Sequence, residues 1–285
     1  MTSTSKTAVL TGSTGGIGLE IARILAAQGW NLVLVNRSQE KTNFQLEELQ
    51  KSYPSQGFAG FIANLMDTSD INRVAEEIGS RYTKISALYN IAGLLTDKRI
   101  MSPQNVEGHF ALNTLAPYVL TQRLRKQLSA GAQDVRQSVV VNFSSSAVSG
   151  VKELDVTTLT NPESIGGLMG AYAKSKAALT VVSAAMKETL LKDGILIQIV
   201  DPGPTKTSMT SSSDGMPWFL ILLRPLIFKS AKFQAQRLFD AVETAVSEGE
   251  SGLFISEGKR KPYPSIALNK SIQTEIKLLL DTQVQ

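Results

Sequence analysis

Short apolar segments rich in β-branched residues alternate along this chain with longer segments of helical periodicity. The predicted strands are Ala8–Leu10, Asn31–Val35, Phe58–Ala63, Ala87–Tyr89, Ser138–Phe143 and Ile195–Val200. The predicted helices are Ile17–Gln28, Glu40–Ser52, Ile71–Tyr82, Val106–Leu128 and Met169–Lys192. Such alternation is typical of βαβ units, in which parallel strands are covered by helices on both faces. We therefore expect one α/β domain over residues 1–285, built on a doubly wound parallel sheet of about seven strands.

The composition excludes several kinds of site. The chain has no cysteine and a single histidine, so it has no disulfides or thiolate metal sites, and a zinc centre or a histidine-based triad is not expected. We interpret that residue, His109, as a packing or hydrogen-bonding group. The net charge of +4 comes from scattered basic residues, which does not indicate nucleic-acid binding. We interpret the one basic cluster, Lys259-Arg260-Lys261, as a solvated turn.

The N-terminal residues, Met1 to Thr7, are polar and lead directly into a predicted core strand. They contain no apolar segment of the kind that directs secretion. From this we expect an intracellular, cytoplasmic protein, and no organelle is predicted.

A glycine-rich turn follows the first predicted strand and opens the first predicted helix. It reads Thr11-Gly12-Ser13-Thr14-Gly15-Gly16-Ile17-Gly18. Glycines at Gly12, Gly16 and Gly18 let the backbone turn tightly and approach a pyrophosphate at the positive end of a helix. A turn that serves only packing is the alternative. The order strand, turn, helix favours a dinucleotide site and hence a Rossmann fold.

A phenol and an ammonium lie four residues apart in the segment Tyr172-Ala173-Lys174-Ser175-Lys176. On a helix, Tyr172 and Lys176 share a face. The cation is then expected to lower the pKa of the phenol below its usual value of about 10. The pair is therefore a candidate proton donor with its electrostatic support.

These motifs, taken in order, resemble the short-chain dehydrogenase/reductase family. The resemblance covers roughly Thr7 to Ser256 and includes the glycine turn, Asn90-Ile91-Ala92-Gly93, Ser145, the tyrosine–lysine pair and Pro202-Gly203. It is strongest for the retinol-dehydrogenase-like branch in Gly108–Thr121, in the long gap between Ser145 and Tyr172, and in Arg224–Ser230. It implies an oxidoreductase that interconverts a carbonyl and an alcohol on a lipophilic small molecule.

The resemblance also implies roles for four residues in carbonyl reduction. Tyr172 would donate the proton, Lys176 would bind the nicotinamide ribose, and Ser145 would bind the substrate oxygen. Asn113 matches a fourth residue, which connects to the lysine through water. A non-catalytic redox sensor and a reductase of activated carbon–carbon double bonds are the alternatives on the same fold.

Three adjacent serines follow the fifth predicted strand, so the choice among them is open by one position. Ser145 is preferred because it is the second serine of the family's strand-end pair. We interpret Ser144 and Ser146 as capping hydroxyls of a turn or helix.

The end of the second predicted strand indicates the cofactor. A NAD site would have an acidic residue here for the ribose 2′-hydroxyl, whereas this chain has Asn36-Arg37. The planar fork of Arg37 suits a 2′-phosphate, although a plain surface charge is the alternative. We therefore expect NADP(H), with Ser13 and Asn36 as further donors.

The remaining cofactor-binding residues follow from the resemblance. Asn64 and Leu65 stand where the family has Asp-Leu beside the adenine. Ile91 replaces a polar residue of the family's Asn-Asn-Ala-Gly, which removes one structural hydrogen bond. The positions carried over from the other two motifs are Asn90, Ala92, Gly93, Pro202, Gly203, Thr205 and Thr207.

Residues 205–230 contain an apolar run and are expected to form a lid over the substrate. The apolar positions are Met209, Met216, Trp218, Phe219, Leu220, Leu222 and Leu223. Such a lid would exclude water and accept an apolar chain. Peripheral contact with a membrane and contact with a second subunit are the alternatives; the run is too short to span a bilayer. A C-terminal helix over about 266–280 is also expected.

Overall fold

The computed structural model describes residues 6–135, 137–206 and 228–284. Its strands are β1 Thr7–Thr11, β2 Asn31–Asn36, β3 Phe58–Ile62, β4 Ala87–Asn90, β5 Ser138–Phe143, β6 Ile195–Asp201, β7 Thr205–Lys206, β8 Lys229–Ser230, β9 Leu253–Ser256 and β10 Lys259–Lys261. Its α-helices are α1 Gly16–Ala27, α2 Gln39–Ser52, α3 Thr68–Arg81, α4 Gly108–Phe110, α5 Ala116–Arg123, α6 Arg125–Val135, α7 Gly167–Lys192, α8 Ala231–Ser247 and α9 Lys270–Val284. Short 3₁₀ turns occupy Ser146–Gly150, Val156–Thr158 and Ser265–Leu268.

The main sheet has the order β10-β9-β6-β5-β4-β1-β2-β3. Every pairing in it is parallel except the antiparallel pair β9–β10. The predicted doubly wound α/β fold is confirmed, with eight strands where about seven were expected. In such sheets the carboxyl ends of the parallel strands form one edge, and ligands bind there.

Alternate residues of each strand enter two separate hydrophobic cores. Val9 of β1 faces the core built with α3, α5, α7 and α9, whereas Ala8 and Leu10 face the core built with α1 and α8. All three side chains are fully buried. Because both faces of the sheet are covered, the strands read in the sequence as continuous apolar runs.

The helix predicted over Val106–Leu128 is interrupted. Ala111–Leu115 forms a π-helical turn between α4 and α5, and Leu124 leaves helical geometry at φ −93° and ψ 5°. Wider turns of this kind are often found at functional sites, and this one carries Asn113. The apolar periodicity continues through both interruptions, which is why the sequence predicted one helix.

Two predictions near the C-terminus need correction. Lys259-Arg260-Lys261 forms the exposed edge strand β10, and Arg260 forms ion pairs with Glu248 and Glu250. The predicted helix at 266–280 is a 3₁₀ turn followed by α9, and the Asn269 side chain accepts hydrogen bonds from the amides of Ser271 and Ile272. Asn269 thereby caps α9 and separates it from the turn.

Of the two long connections, 147–169 and 205–230, the structure describes the first completely. The segment between Ser146 and Gly170 buries Val148, Leu154, Val156 and Leu159 in the core with α7 and α9. Most of the predicted lid, including all seven of its apolar positions, lies outside the described residues. Among the helices that the structure describes, none is long and apolar enough to cross a membrane.

Candidate active site at the carboxyl edge of the sheet

The glycine turn between β1 and α1 is sterically obligatory at two positions. Gly12 has φ +67°, and a Cβ there would lie 2.9 Å from the Ala92 Cα. A Cβ on Gly18 would lie 2.3 Å from the Gly12 carbonyl oxygen. Larger side chains would force apart β1, α1 and the loop after β4.

The N-terminus of α1 is left open for a ligand. Its cap residue, Gly15, supplies no side-chain hydrogen bond, whereas Ser38 caps α2 and Asp67 caps α3. A Cβ on Gly15 would meet no atom within 4 Å among the described residues. First-turn amides at an uncapped helix end bind phosphate well. Gly16 and Ile17, the first residues of α1, therefore fit the pyrophosphate of a dinucleotide.

Ser13 and Asn36 bind each other instead of offering free donors. The Ser13 amide donates to Asn36 Oδ1 at 2.8 Å, and Asn36 Nδ2 donates to Ser13 Oγ at 3.1 Å. Gln45 of α2 completes the network, since it donates to the Ser13 carbonyl at 2.9 Å and accepts from Ser13 Oγ at 3.0 Å. All three residues are buried. Ser13 and Asn36 are thus engaged with one another in this structure, and their role as donors to the cofactor stays a prediction.

Arg37, directly after β2, is exposed. It makes no hydrogen bond or ion pair with the residues that the structure describes, so its guanidinium is free for a ligand. Asn64 is also exposed, but its Oδ1 accepts the Met66 amide at 3.2 Å. Leu65 beside it is buried.

The loop after β4 is held against the glycine turn. Thr11 Oγ1 accepts the amides of Ile91 and Ala92, each at 3.0 Å, and Asn90 Nδ2 donates to Asn142 Oδ1 at 2.8 Å. Ile91 packs against the apolar core, which is what this chain has in place of the family's polar residue. Gly93 follows, partly exposed. Asn90 Oδ1 is buried without a hydrogen-bond partner among the described residues, at the carboxyl end of β4 where Asn90 pairs in register with Thr11.

The structure distinguishes the three serines after β5. Ser144 is buried and its hydroxyl lies 2.7 Å from Thr180 Oγ1 of α7. Ser146 is exposed. Ser145 is partly exposed and accepts the Ala147 amide at 3.2 Å, so the capping hydroxyl is Ser145 and not either neighbour. Of the three serines, only Ser145 influences the pKa of the Tyr172 phenol, which it lowers through a hydrogen bond.

Tyr172 lies on α7 with its side chain largely enclosed. Burial raises the pKa of its phenol, hydrogen bonding with Ser145 lowers it, and the negative charge of Asp201 raises it. The pKa is therefore above the usual value of about 10, and the phenol is a proton donor across the neutral range. The expected lowering of this pKa is not found, because burial outweighs the hydrogen bond with Ser145.

Lys176 lies one helical turn beyond Tyr172 and is buried. Its Nζ donates to the Phe143 carbonyl oxygen at 2.5 Å, at the carboxyl end of β5. Burial lowers the pKa of Lys176 to about 8, and the charge of Asp201 opposes that shift. The ammonium is therefore mostly charged at pH 7 and largely neutral at pH 9.

Asn113 connects the loop after β4 to α7. Its Nδ2 donates to the Leu94 carbonyl and to Ser175 Oγ, each at 3.0 Å, and its Oδ1 accepts the Leu94 amide at 2.7 Å. Ser175 in turn donates to the Tyr172 carbonyl at 2.8 Å. Asn113 thus fixes the backbone around Tyr172 and Lys176.

The turn after β6 also lies at the carboxyl edge of the sheet, and hydrogen bonds hold it in place. Gly203 has φ +67°, its amide donates to Asp201 Oδ1 at 2.9 Å, and its carbonyl accepts Thr205 Oγ1 at 2.9 Å. The Pro202 carbonyl accepts a hydrogen bond from Gln234 of α8. Thr205 is buried, and Thr207 lies outside the described residues.

His109 forms a buried pair with Glu107. Its Nδ1 lies 2.7 Å from Glu107 Oε1, and its Nε2 accepts the Thr96 amide at 3.3 Å. Because Nε2 accepts the Thr96 amide, the hydrogen bond to Glu107 is donated by Nδ1. Burial raises the pKa of Glu107, but hydrogen bonds with His109 and Phe110 outweigh it and hold the pKa below its usual value. The predicted hydrogen-bonding role of His109 is confirmed.

Sequence reasoning missed three residues of this edge. Thr11 joins β1 to the loop after β4, and Gln45 fixes the glycine turn. Asp201 is a buried carboxylate at the end of β6, and its charge acts on both Tyr172 and Lys176. Asp201 directly precedes the Pro202-Gly203 motif, and this position could have identified it as a site residue from the sequence. Nothing in the helical pattern of α2 marks Gln45. Among the described residues no cluster of metal-ligating side chains is present.

Comparisons with known proteins agree with this arrangement. Residues 6–217 match the family model of the short chain dehydrogenases. A short-chain dehydrogenase/reductase from Neocamarosporium betae, bet4, is 28% identical over 264 residues, covering 87% of this chain and 74% of that protein. A polyprenol dehydrogenase from Danio rerio is 25% identical over 281 residues, covering 95% of this chain and 84% of that protein.

The fold is also found in solved structures. An NADPH-bound carbonyl reductase from chicken fatty liver superimposes with a TM-score of 0.69 at 21% identity, over 91% of this chain and 99% of that one. In this chain the glycine turn, the open end of α1 and the Ser145–Tyr172–Lys176 cluster lie along one edge of the sheet. The chain belongs to the short-chain dehydrogenase family of oxidoreductases, whose members use NAD(P)(H).

Proposed function

We propose that this protein is an NADP(H)-dependent oxidoreductase that interconverts a carbonyl and an alcohol on a lipophilic small molecule. The observation that carries the proposal is the cluster of Ser145, Tyr172 and Lys176 at the strand ends, next to an uncapped helix N-terminus. The cluster offers a protonated phenol and a hydroxyl to one carbonyl oxygen. Both groups stabilise the charge that develops on that oxygen during reduction.

The cofactor preference rests on Arg37. Its guanidinium is exposed at the end of β2, and the residue before it, Asn36, is committed to Ser13. No carboxylate stands there to accept a ribose 2′-hydroxyl, whereas a guanidinium binds a 2′-phosphate through two parallel hydrogen bonds. NADP(H) fits this end of the site better than NAD(H).

When bound, the dinucleotide supplies the hydride. The residues of this chain do the rest: Ser145 orients the carbonyl oxygen and Tyr172 gives it a proton. Lys176, held by the Phe143 carbonyl, carries positive charge into the site and would bind the nicotinamide ribose. Gly12, Gly16 and Ile17 would hold the pyrophosphate at the end of α1. The residues that would line the nicotinamide side are Asn90, Ala92, Gly93, Pro202, Gly203 and Thr205.

The substrate proposal draws on a relative and on the sequence. The polyprenol dehydrogenase of Danio rerio is named for a long apolar alcohol, which supports a lipophilic substrate for this chain. The apolar run at 209–228 is consistent with a water-excluding lid. Contact of that run with a membrane or a second subunit stays a prediction.

A panel of aldehydes and ketones of increasing apolar length, assayed with NADPH and with NADH, tests the proposal. We expect turnover with NADPH that rises with apolar length and is lost in Tyr172→Phe. Tight NADPH binding without turnover on any carbonyl would favour the redox sensor. Consumption of NADPH by enones with retention of the carbonyl would favour reduction of carbon–carbon double bonds.

A further inference from the structure

Very few charged side chains are buried in this protein. Among the described residues, the buried acids are Glu107 and Asp201, and the buried bases are Lys176 and His109. Glu107 is already engaged, because its carboxylate accepts hydrogen bonds from the His109 ring at 2.7 Å and from the Phe110 amide at 3.0 Å. Since an isolated buried charge is strongly unfavourable, Lys176 requires a compensating charge, and Asp201 is the buried acid that remains.

The sheet brings Asp201 close to the point where Lys176 is held. Phe143 of β5 pairs in register with Val200 of β6, and the Ser144 amide donates to the Val200 carbonyl at 2.7 Å. The Phe143 carbonyl accepts the Lys176 ammonium, and Asp201 is the residue after Val200. The carboxylate and the ammonium therefore lie at neighbouring strand ends.

The Asp201 carboxylate is fixed in place by two hydrogen bonds. Its Oδ1 accepts the Gly203 amide at 2.9 Å, and its Oδ2 accepts Ser256 Oγ of β9 at 2.8 Å. Both donors are neutral, so they orient the carboxylate without cancelling its charge. The negative charge stays available to the nearby ammonium.

We infer that Asp201 is a positioning residue whose carboxylate keeps Lys176 charged at the carboxyl edge of the sheet, while it also holds the Pro202-Gly203 turn in place. This rests on the proposed function only in giving the charge of Lys176 a use in the reaction. The effect of the Asp201 charge on Lys176 depends only on the folded structure and not on any catalytic activity.

The titration behaviour of the neighbouring groups agrees with this role. Burial lowers the pKa of Lys176 to about 8, and Asp201 is the group that opposes the shift. Asp201 also raises the pKa of Tyr172, which keeps the phenol protonated. The charges on the adjoining β8, α8 and β9–β10 turn, which are Lys229, Arg237 and Glu257, are engaged with one another.

Titration of Lys176 by carbon-13 NMR in the full-length protein tests the inference without requiring turnover. Lysine labelled at Cε reports the charge, and Lys176→Met identifies the resonance. Asp201→Asn keeps the side-chain shape and an acceptor for the Gly203 amide but removes the charge. Ser256→Ala is the matched control, because it removes a hydrogen bond and leaves the charge.

We expect the pKa of Lys176 to fall below about 8 in Asp201→Asn and to stay at the wild-type value in Ser256→Ala. Asp201→Glu, which restores a carboxylate, should move the pKa back toward the wild-type value. An unchanged pKa in folded Asp201→Asn would overturn the inference, as would an equal fall in Ser256→Ala. Should Asp201→Asn fail to fold, Asp201→Ser replaces it, since a serine hydroxyl also accepts the Gly203 amide.

A kinetic measurement separates this inference from the proposed function. If the protein reduces carbonyls, the fall of kcat/KM at high pH should begin at lower pH in Asp201→Asn than in the wild type and Ser256→Ala. If no carbonyl is turned over, the proposed function fails. The NMR titration still decides the role of Asp201 in that case.

Discussion

Gln45 on α2 reaches across to the glycine turn, where its amide donates to the carbonyl oxygen of Ser13 at 2.9 Å. Its side-chain oxygen also accepts the Ser13 hydroxyl at 3.0 Å. The contact spans 32 positions of sequence and is buried. It therefore fixes the backbone that meets a dinucleotide from a helix that is remote in the sequence.

Replacing Gln45 with leucine should weaken both folding and dinucleotide binding. The change leaves the buried Ser13 carbonyl without its donor and leaves the Ser13 hydroxyl with Asn36 alone, at a cost of about 1–3 kcal/mol in the free energy of unfolding. Chemical denaturation and calorimetric titration with NADPH measure the two effects. Gln50→Leu, an exposed position on the same helix, is the control. Equal stability and affinity in the two variants would rule out the role given to Gln45.

Replacing Arg37 with serine should reduce affinity for NADPH and spare NADH. Charge-assisted hydrogen bonds to a phosphate are worth about 1.5–3 kcal/mol, which corresponds to roughly 10- to 100-fold in the dissociation constant. Fluorescence titration with both cofactors gives the ratio. Arg23→Ser on α1, which removes a surface ion pair with Glu20, should leave both affinities unchanged. Parallel losses for NADPH and NADH in Arg37→Ser would refute NADP(H) specificity.

Ser145→Ala and Ser144→Ala should affect different properties. Ser145 lies beside the phenol, so its loss should lower kcat by about 10²-fold or more, as for other donors to a developing oxyanion. Ser144 is bonded to Thr180 in the interior, so its loss should lower the free energy of unfolding by about 1 kcal/mol. Steady-state kinetics and thermal melts distinguish the two. A kinetic defect confined to Ser144→Ala would reassign the catalytic serine.

The pH dependence of carbonyl reduction should follow Lys176. Burial lowers the pKa of Lys176 to about 8, so the ammonium loses its charge as the pH rises through that value. Since kcat/KM reports the free enzyme, the reductive kcat/KM should be flat at neutral pH and fall above about pH 8. A profile that stays flat to pH 10 would show that the charge on Lys176 is not needed.

The same shift has a consequence for folding. In the unfolded chain Lys176 titrates near its ordinary pKa of 10.5, whereas in the folded protein it titrates near 8. The native state therefore bears the full cost of the buried ammonium below pH 8, and that cost disappears as the pH rises toward 10.5. Lys176→Met should be more stable than the wild type at pH 7 and should lose that advantage toward pH 10, as measured by urea denaturation.

Much of the fold could be predicted because its signals are local. The β5 strand Ser138–Phe143 has the bounds predicted from its apolar run, and α7 begins two residues before the predicted Met169. The glycine turn was recognisable because its residues are consecutive. β10 was missed because Lys259–Lys261 is an exposed edge strand, in which charged side chains are common and hide the strand pattern.

The sequence predicted which residues form the candidate site, but it did not predict the contacts that those residues make. The spacing of Tyr172 and Lys176 placed them on one helix face, yet nothing local showed that Phe143 would hold the lysine. Ser13 and Asn36 have the right chemistry for a cofactor, but only the folded chain shows that they bind each other. Contacts between distant segments decide which polar groups are free, and a single sequence does not contain them explicitly.

The most direct test of the account is the rate of NADPH oxidation with a lipophilic aldehyde, compared between the wild-type protein and Tyr172→Phe. The account predicts turnover in the wild type, no turnover in Tyr172→Phe, and NADPH affinity within about twofold in the two proteins, because the phenol hydroxyl gives the proton and contributes little to cofactor binding. Turnover retained in Tyr172→Phe would contradict the assignment of the proton donor and with it the proposed mechanism.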